Sequence, residues 1–196
     1  AGIEANPILV STRSNGISLT PSRKAYNYVI SGIEIQNDVI LLDATNQYSL
    51  PNILPIRDLN WFGRIIRKNG SSANIDLMPK AKSNDIVNVI ATILPDGTVE
   101  GKVRDQYFDY NAFSFRTLYG EMTEESYLES LEKNLNNVEV NEYSITGKKE
   151  LDKPIVENYS FKSTNSVEII GNKMLFSPLL CFAIEENPFK AEKREY

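Results

Sequence analysis

The chain has 196 residues with a formal net charge of −5, 41% apolar and 24% charged, which is ordinary globular sequence and argues against a disordered tail or a basic nucleic-acid-binding module. It has no histidine and one cysteine, Cys181. Those two counts exclude Ser-His-Asp and Cys-His catalysis by the chain alone, His-ligated zinc, a four-cysteine metal site and an internal disulfide framework.

The opening, Ala1-Gly2-Ile3-Glu4-Ala5-Asn6-Pro7, reads as the end of a helix with Gly2 at its C-cap, followed by a strand. A chain that starts inside a helix is expected to be a piece of a longer protein. Ile8-Leu9-Val10 is a short buried run closed by Ser14-Asn15-Gly16. Tyr26 to Ile35 is a longer strand rich in β-branched and aromatic residues. Gln36-Asn37-Asp38 supplies turn chemistry, and Val39 to Leu42 returns as the second arm of a hairpin. After a loop holding Pro51 and Pro55, Trp61 to Arg67 forms another strand, ended by Lys68-Asn69-Gly70.

Residues 71–196 have a different texture. Ile86 to Leu94 is apolar on both faces. Pro95-Asp96-Gly97 is a turn, and Thr98 to Tyr107 returns with Val99, Gly101 and Val103 on one face and Glu100, Lys102, Arg104 and Gln106 on the other. Asn111 to Tyr119 holds one or two helical turns. Thr123 is the expected N-cap of the main helix, with Glu124 and Glu125 in its first turn and Tyr127, Leu128, Leu131 and Leu135 on one face; Asn136-Asn137 closes it. Val138, Val140, Tyr143 and Ile145 break parity, so a bulge is expected near Asn141. Ile155, Tyr159 and Phe161 share a face. Ile169 to Met174 is a hairpin around Gly171-Asn172, and Leu179 to Ile184 reads as a buried run containing an inert Cys181. The charged tail from Glu185 reads as a linker. The expected fold class is α+β, mostly β: antiparallel strands with one main helix at about 123–136.

Two clusters carry candidate chemistry. Tyr107, Tyr110 and Phe113 are the candidate binding aromatics, a stacking platform for a glycan, with core packing between helix and sheet as the blander reading. Asp105, Asp109, Glu121, Glu124 and Glu125 lack calcium-loop spacing and read as a solvated face. No cofactor or metal is expected.

Residues 1–60 resemble the second half of a bacterial transglutaminase-like domain, a member of the papain-like thiol-enzyme superfamily. In that family a strand in a context like Phe-Asn-His-Val carries the catalytic His, and a strand in a context like Leu-Asp-Ala-Thr carries the Asp. Here Tyr26-Asn27-Tyr28-Val29-Ile30 and Leu41-Leu42-Asp43-Ala44-Thr45 stand in those places, with Tyr28 where the His belongs. The helix bearing the nucleophilic Cys would precede Ala1. The resemblance implies two parts, a strand-rich remnant of the core at 1–60 and a β-rich module with one helix at 61–196, in a periplasmic or otherwise extracytoplasmic bacterial protein.

A phenol has a reference pKa near 10 and cannot replace an imidazolium as the partner of a thiolate at neutral pH. It can still donate a hydrogen bond to Asp43. The degenerate triad positions are therefore Tyr28 and Asp43, and the expected role is non-catalytic: a structural or interaction region whose partners are flanking domains of the same protein or further copies of itself, with neither nucleic acid nor a membrane-spanning segment. Two alternatives stand beside it. One is a contribution of Asp43 to a thiol enzyme completed upstream. The other is a carbohydrate- or peptide-binding β module.

Overall fold

The computed structural model describes residues 3–17, 24–36, 38–80, 82–135 and 138–182. The helix end at Ala1-Gly2, the turn residue Asn37, the helix stop at Asn136-Asn137, Ile184 and the tail from Glu185 lie outside them. The protein is mostly β, with antiparallel sheets and two helices, and it divides into two compact units at Ser83/Asn84.

The first unit is a five-stranded antiparallel sheet. Its strands are β1 (Asn6–Val10), β2 (Tyr28–Ile35), β3 (Asp38–Leu42), β4 (Phe62–Ile66) and β5 (Ser72–Asp76), in the order β3-β2-β1-β4-β5. Ile8 stands opposite Ile30 on one side and Ile65 on the other, and Gly32 opposite Leu41. Those registers put Ile8, Val10, Ile30, Leu41 and Ile65 on one buried face. Ile8 is the centre of this layer. A Cβ at Gly32 would come 2.5 Å from its Cδ1, and one at Gly63 would come 2.7 Å from its Cγ2 and 3.0 Å from the Leu9 carbonyl oxygen. The two glycines on the flanking strands make room for one branched side chain.

The sheet moves the expected boundary. β4 pairs with β1, and β5 pairs with β4 from Phe62↔Asp76 to Ile66↔Ser72. Both strands therefore belong to the first unit, which runs to Ser83 rather than ending at 60. Ser72-Ala73-Asn74-Ile75-Asp76 carries a single large apolar side chain, Ile75, and at an edge it is bonded on one side only.

The second unit holds β6 (Asp85–Ile93), β7 (Val99–Tyr107), α1 (Asp109–Tyr119), α2 (Glu124–Asn134), β8 (Glu139–Thr146), β9 (Ile155–Ser163) and the hairpin β10 (Val167–Ile170) and β11 (Lys173–Phe176). Its main sheet has the order β6-β7-β9-β8, so β6 and β8 are edges. Gly97, at φ +84°, closes the turn between β6 and β7, with its N–H on the Leu94 carbonyl. The register of β8 on β9 shifts between Asn141 and Ser144, where Glu142 takes φ +49°. Thr123 caps α2, its hydroxyl accepting from the Ser126 N–H at 3.3 Å.

α1 is longer than one or two turns. It has eleven residues, because Ala112, Phe113, Phe115 and Arg116 are all buried and that packing outweighs the modest helix propensity of Phe, Tyr and Asn. Phe115 lies 5.1 Å from Tyr107, 5.2 Å from Tyr119 and 5.5 Å from Tyr127 between ring centroids. Beneath the helices, β9 buries Ile155, Glu157, Tyr159, Phe161 and Ser163 on one face. The run from Leu179 is less buried than expected: Leu179 is 63% exposed, and of Leu180–Phe182, a single 3-10 turn, Cys181 is the buried residue. Burial raises the Cys181 thiol pKa, in keeping with an inert core cysteine.

Candidate functional site

In the first unit, the start of β2 and the end of β3 bring Tyr28 and Asp43 together. The Tyr28 hydroxyl donates to Asp43, 3.0 Å from Oδ2 and 3.3 Å from Oδ1. Asp43 is buried and also accepts the Thr45 backbone N–H at 2.8 Å on Oδ1. This is an Asx-type turn within Leu-Asp-Ala-Thr, and it fixes the carboxylate. The Thr45 hydroxyl lies 2.8 Å from the Tyr28 oxygen.

Arg57 completes the group, on the 3-10 turn Ile56–Asp58. Its Nη2 donates to the Tyr28 oxygen at 2.9 Å and to Thr45 Oγ1 at 2.7 Å, and stands 3.6 Å from Asp43 Oδ2. The guanidinium carbon also lies 4.8 Å from the centroid of the Tyr28 ring. The phenol gives its hydrogen to Asp43, and its oxygen accepts from Arg57; the Thr45 hydroxyl accepts from Arg57 and lies against the phenol oxygen.

Asp58 lies behind this group, 0% exposed. Neither of its oxygens has a hydrogen-bond partner among the described residues, and Arg57 Nε is 3.6 Å from Oδ1. Burial, the adjoining Asp43 carboxyl and its charge push the Asp58 pKa up to about 7, against the pull of Arg57. For Asp43 burial works in the same direction, but Thr45, the Asp58 carboxyl and Tyr28 outweigh it and hold the Asp43 pKa below the ordinary range. The two acids therefore differ: Asp43 is held ionised, and Asp58 keeps its proton until the pH nears 7.

Arg57 and Asp58 are not among the residues expected from sequence. They come from a loop far from β2 and β3 in the chain, with no periodicity to mark them. Their adjacency after Pro55 is the one local sign of a turn carrying opposite charges.

The candidate aromatics of the second unit do not form a platform, and that expectation is corrected. Phe113 is buried, Tyr110 is half-buried with its ring edge-on to Phe113, and Tyr107 is tilted against Phe115. Tyr107 borders a cleft of about 360 Å³ between α1, α2 and the strand ends, along with Asp85, Ser114, Tyr119, Ser130 and Asn134, but Tyr110 and Phe113 do not line it. The rings are held by aromatic packing and by a buried acid on β9, in the same parity as Ile155, Tyr159 and Phe161. Glu157 is 0% exposed and accepts the Tyr107 hydroxyl at 2.9 Å and the Tyr143 hydroxyl at 2.7 Å. Burial, and after it the Glu157 charge, raise the pKa values of Tyr107 and Tyr127, and burial with the Glu157 hydrogen bond raises that of Tyr143, so these phenols remain donors. Asp105, opposite Glu157 on β7, is pushed up to about 7 by burial and by the neighbouring Asp85 carboxyl.

Asp109, Glu124 and Glu125 are exposed, as a solvated face requires. Among the described residues no group of three or more acids and cysteines stands close enough to hold a metal ion, and no helix is long and apolar enough to cross a membrane. Compared with protein-family models, curated proteins and solved structures, the chain matches none.

Proposed function

We propose that this protein is a non-catalytic structural or interaction region, and that its first unit carries a degenerate triad of the transglutaminase-like kind in which Tyr28 has turned a proton-transfer position into a fixed hydrogen-bond junction. The observation that supports this is the Arg57 guanidinium donating to the Tyr28 oxygen while the phenol hydrogen lies on Asp43. A general base needs a free lone pair facing the nucleophile. Here Arg57 donates to the phenol oxygen and brings a positive charge, which opposes the uptake of a further proton. The setting implied by the same resemblance is an extracytoplasmic bacterial protein, with flanking domains as its partners.

The test is acyl transfer by the protein in every length in which it is expressed, using a glutamine peptide as donor and a fluorescent primary amine as acceptor. No incorporation above the blank is expected. Incorporation that disappears in Asp43→Asn would overturn the reading and establish its rival, in which Asp43 serves a thiol nucleophile.

A further inference from the structure

The edge strand β6 carries an inference independent of the Tyr28 site. Every residue from Asp85 to Thr92 is exposed, with Ile90 at 80%. Val87, Val89 and Ala91 share the face of Val103 and Gly101, on which the helices pack; Ile86 and Ile90 lie on the other. The strand holds a single charged side chain, Asp85, at one end. An edge of nine residues that is apolar on both faces, with no internal lysine, proline or bulge, lacks the usual protection against pairing.

Among the described residues no strand pairs with the outer side of β6, and the backbone groups on that side define what fits. Hydrogen bonding alternates along an antiparallel strand. At the two ends, the Leu94 N–H donates to the Thr98 carbonyl and the Phe108 N–H to the Asn84 carbonyl. Even-numbered residues are therefore the ones bonded to β7. The N–H and C=O groups of Asp85, Val87, Val89, Ala91 and Ile93 point away from the sheet.

We propose that β6 pairs antiparallel with β6 of a second copy of this chain, centred on Val89. In that register Val89 exchanges bonds with Val89, Val87 with Ala91, and Asp85 with Ile93, so every outward group is used. The two Asp85 carboxylates go to opposite ends, about 27 Å apart at strand spacing, and each faces an apolar residue instead of a like charge. Shifting the register toward the C-terminal end sets Asp85 against Pro95, which has no N–H to give. The two-fold axis stands perpendicular to the sheet, which joins both sheets into one and keeps the helices of both copies on the same side. A two-fold contact of this kind is closed and does not propagate into fibres.

Sedimentation velocity across nanomolar to hundreds of micromolar protein tests it. The parent is expected to show a reversible monomer–dimer equilibrium. Val89→Pro removes an outward N–H and leaves the bonds to β7 intact, so it should weaken the dimer by about tenfold or more with unchanged circular dichroism. Val87→Lys or Ala91→Glu alone should also weaken it, and the two together should restore it, because residues 87 and 91 of opposite copies face each other only in this register. If Val89→Pro fails to fold, the lysine and glutamate variants decide. A parent that stays monomeric throughout, a dimer that survives Val89→Pro through another surface such as the β10–β11 hairpin, or a double variant no tighter than its singles would each overturn the proposal.

Discussion

Replacing Asp58 with asparagine isolates the cost of a buried acid that resists ionisation. The native unit holds the Asp58 proton up to about pH 7, whereas the ordinary value is 3.8. Between those limits the folded state binds more protons than the unfolded state, so stability falls as pH rises through that window and levels off above it. About three pH units at roughly 1.4 kcal/mol each gives an upper bound near 4 kcal/mol. Asparagine is close to isosteric with the protonated acid and cannot ionise. Asp58→Asn should therefore match the parent within about 1 kcal/mol near pH 3, exceed it by about 1–2 kcal/mol near pH 5 and by up to about 4 kcal/mol near pH 8.5. Denaturant unfolding followed by tryptophan fluorescence reads this unit alone, because Trp61, in the first unit, is the sole tryptophan. Asp105, also raised to about 7 in the second unit, contributes to parent and variant alike and cancels in the difference. Parallel stability–pH curves for the two proteins would refute the assignment of the proton to Asp58.

Two further outcomes follow from the packing. Glu157→Gln leaves one carbonyl oxygen to meet hydroxyls that donate to two carboxylate oxygens and turns an amide N–H toward a donor; a loss of about 2–3 kcal/mol is expected by circular dichroism during denaturation. Gly32→Ala should destabilise the first unit by about 1–3 kcal/mol, and Ile8→Val, which removes the Cδ1 atom 2.5 Å from the added Cβ, should recover part of that loss, so a double-mutant cycle should show favourable coupling.

The parts of this molecule that sequence reveals are those where one local rule decides. Pro95-Asp96-Gly97, the Thr123 cap and the break near Asn141 all lie where local signals place them, since turn, capping and parity rules act over a few residues. β5 escapes because five residues with one small and one large apolar side chain make too short a pattern to stand out, and its omission displaces the boundary by an entire strand pair. The parity of Ile155, Tyr159 and Phe161 already places Glu157 on the buried face, but the tyrosines that satisfy it come from other elements and no local rule announces them. At the candidate site, Tyr28 and Asp43 are legible through two short motifs. Arg57 and Asp58 reach the site through tertiary folding, and no spacing announces them.

Arg116, on α1, has one more consequence. It is almost wholly buried, and its Nη2 reaches the carbonyls of Gly147, Glu150 and Lys153 at 2.7, 2.9 and 2.7 Å, with Nη1 3.4 Å from that of Leu151. Connections between strands ordinarily accept added or lost residues at little cost. Here a rigid guanidinium measures the path of the chain from 147 to 153, so this turn is fixed in length: one inserted residue would pull carbonyls off a desolvated cation. The segment that looks most dispensable on the surface is thereby the one least open to grafting, tagging or evolutionary drift in size.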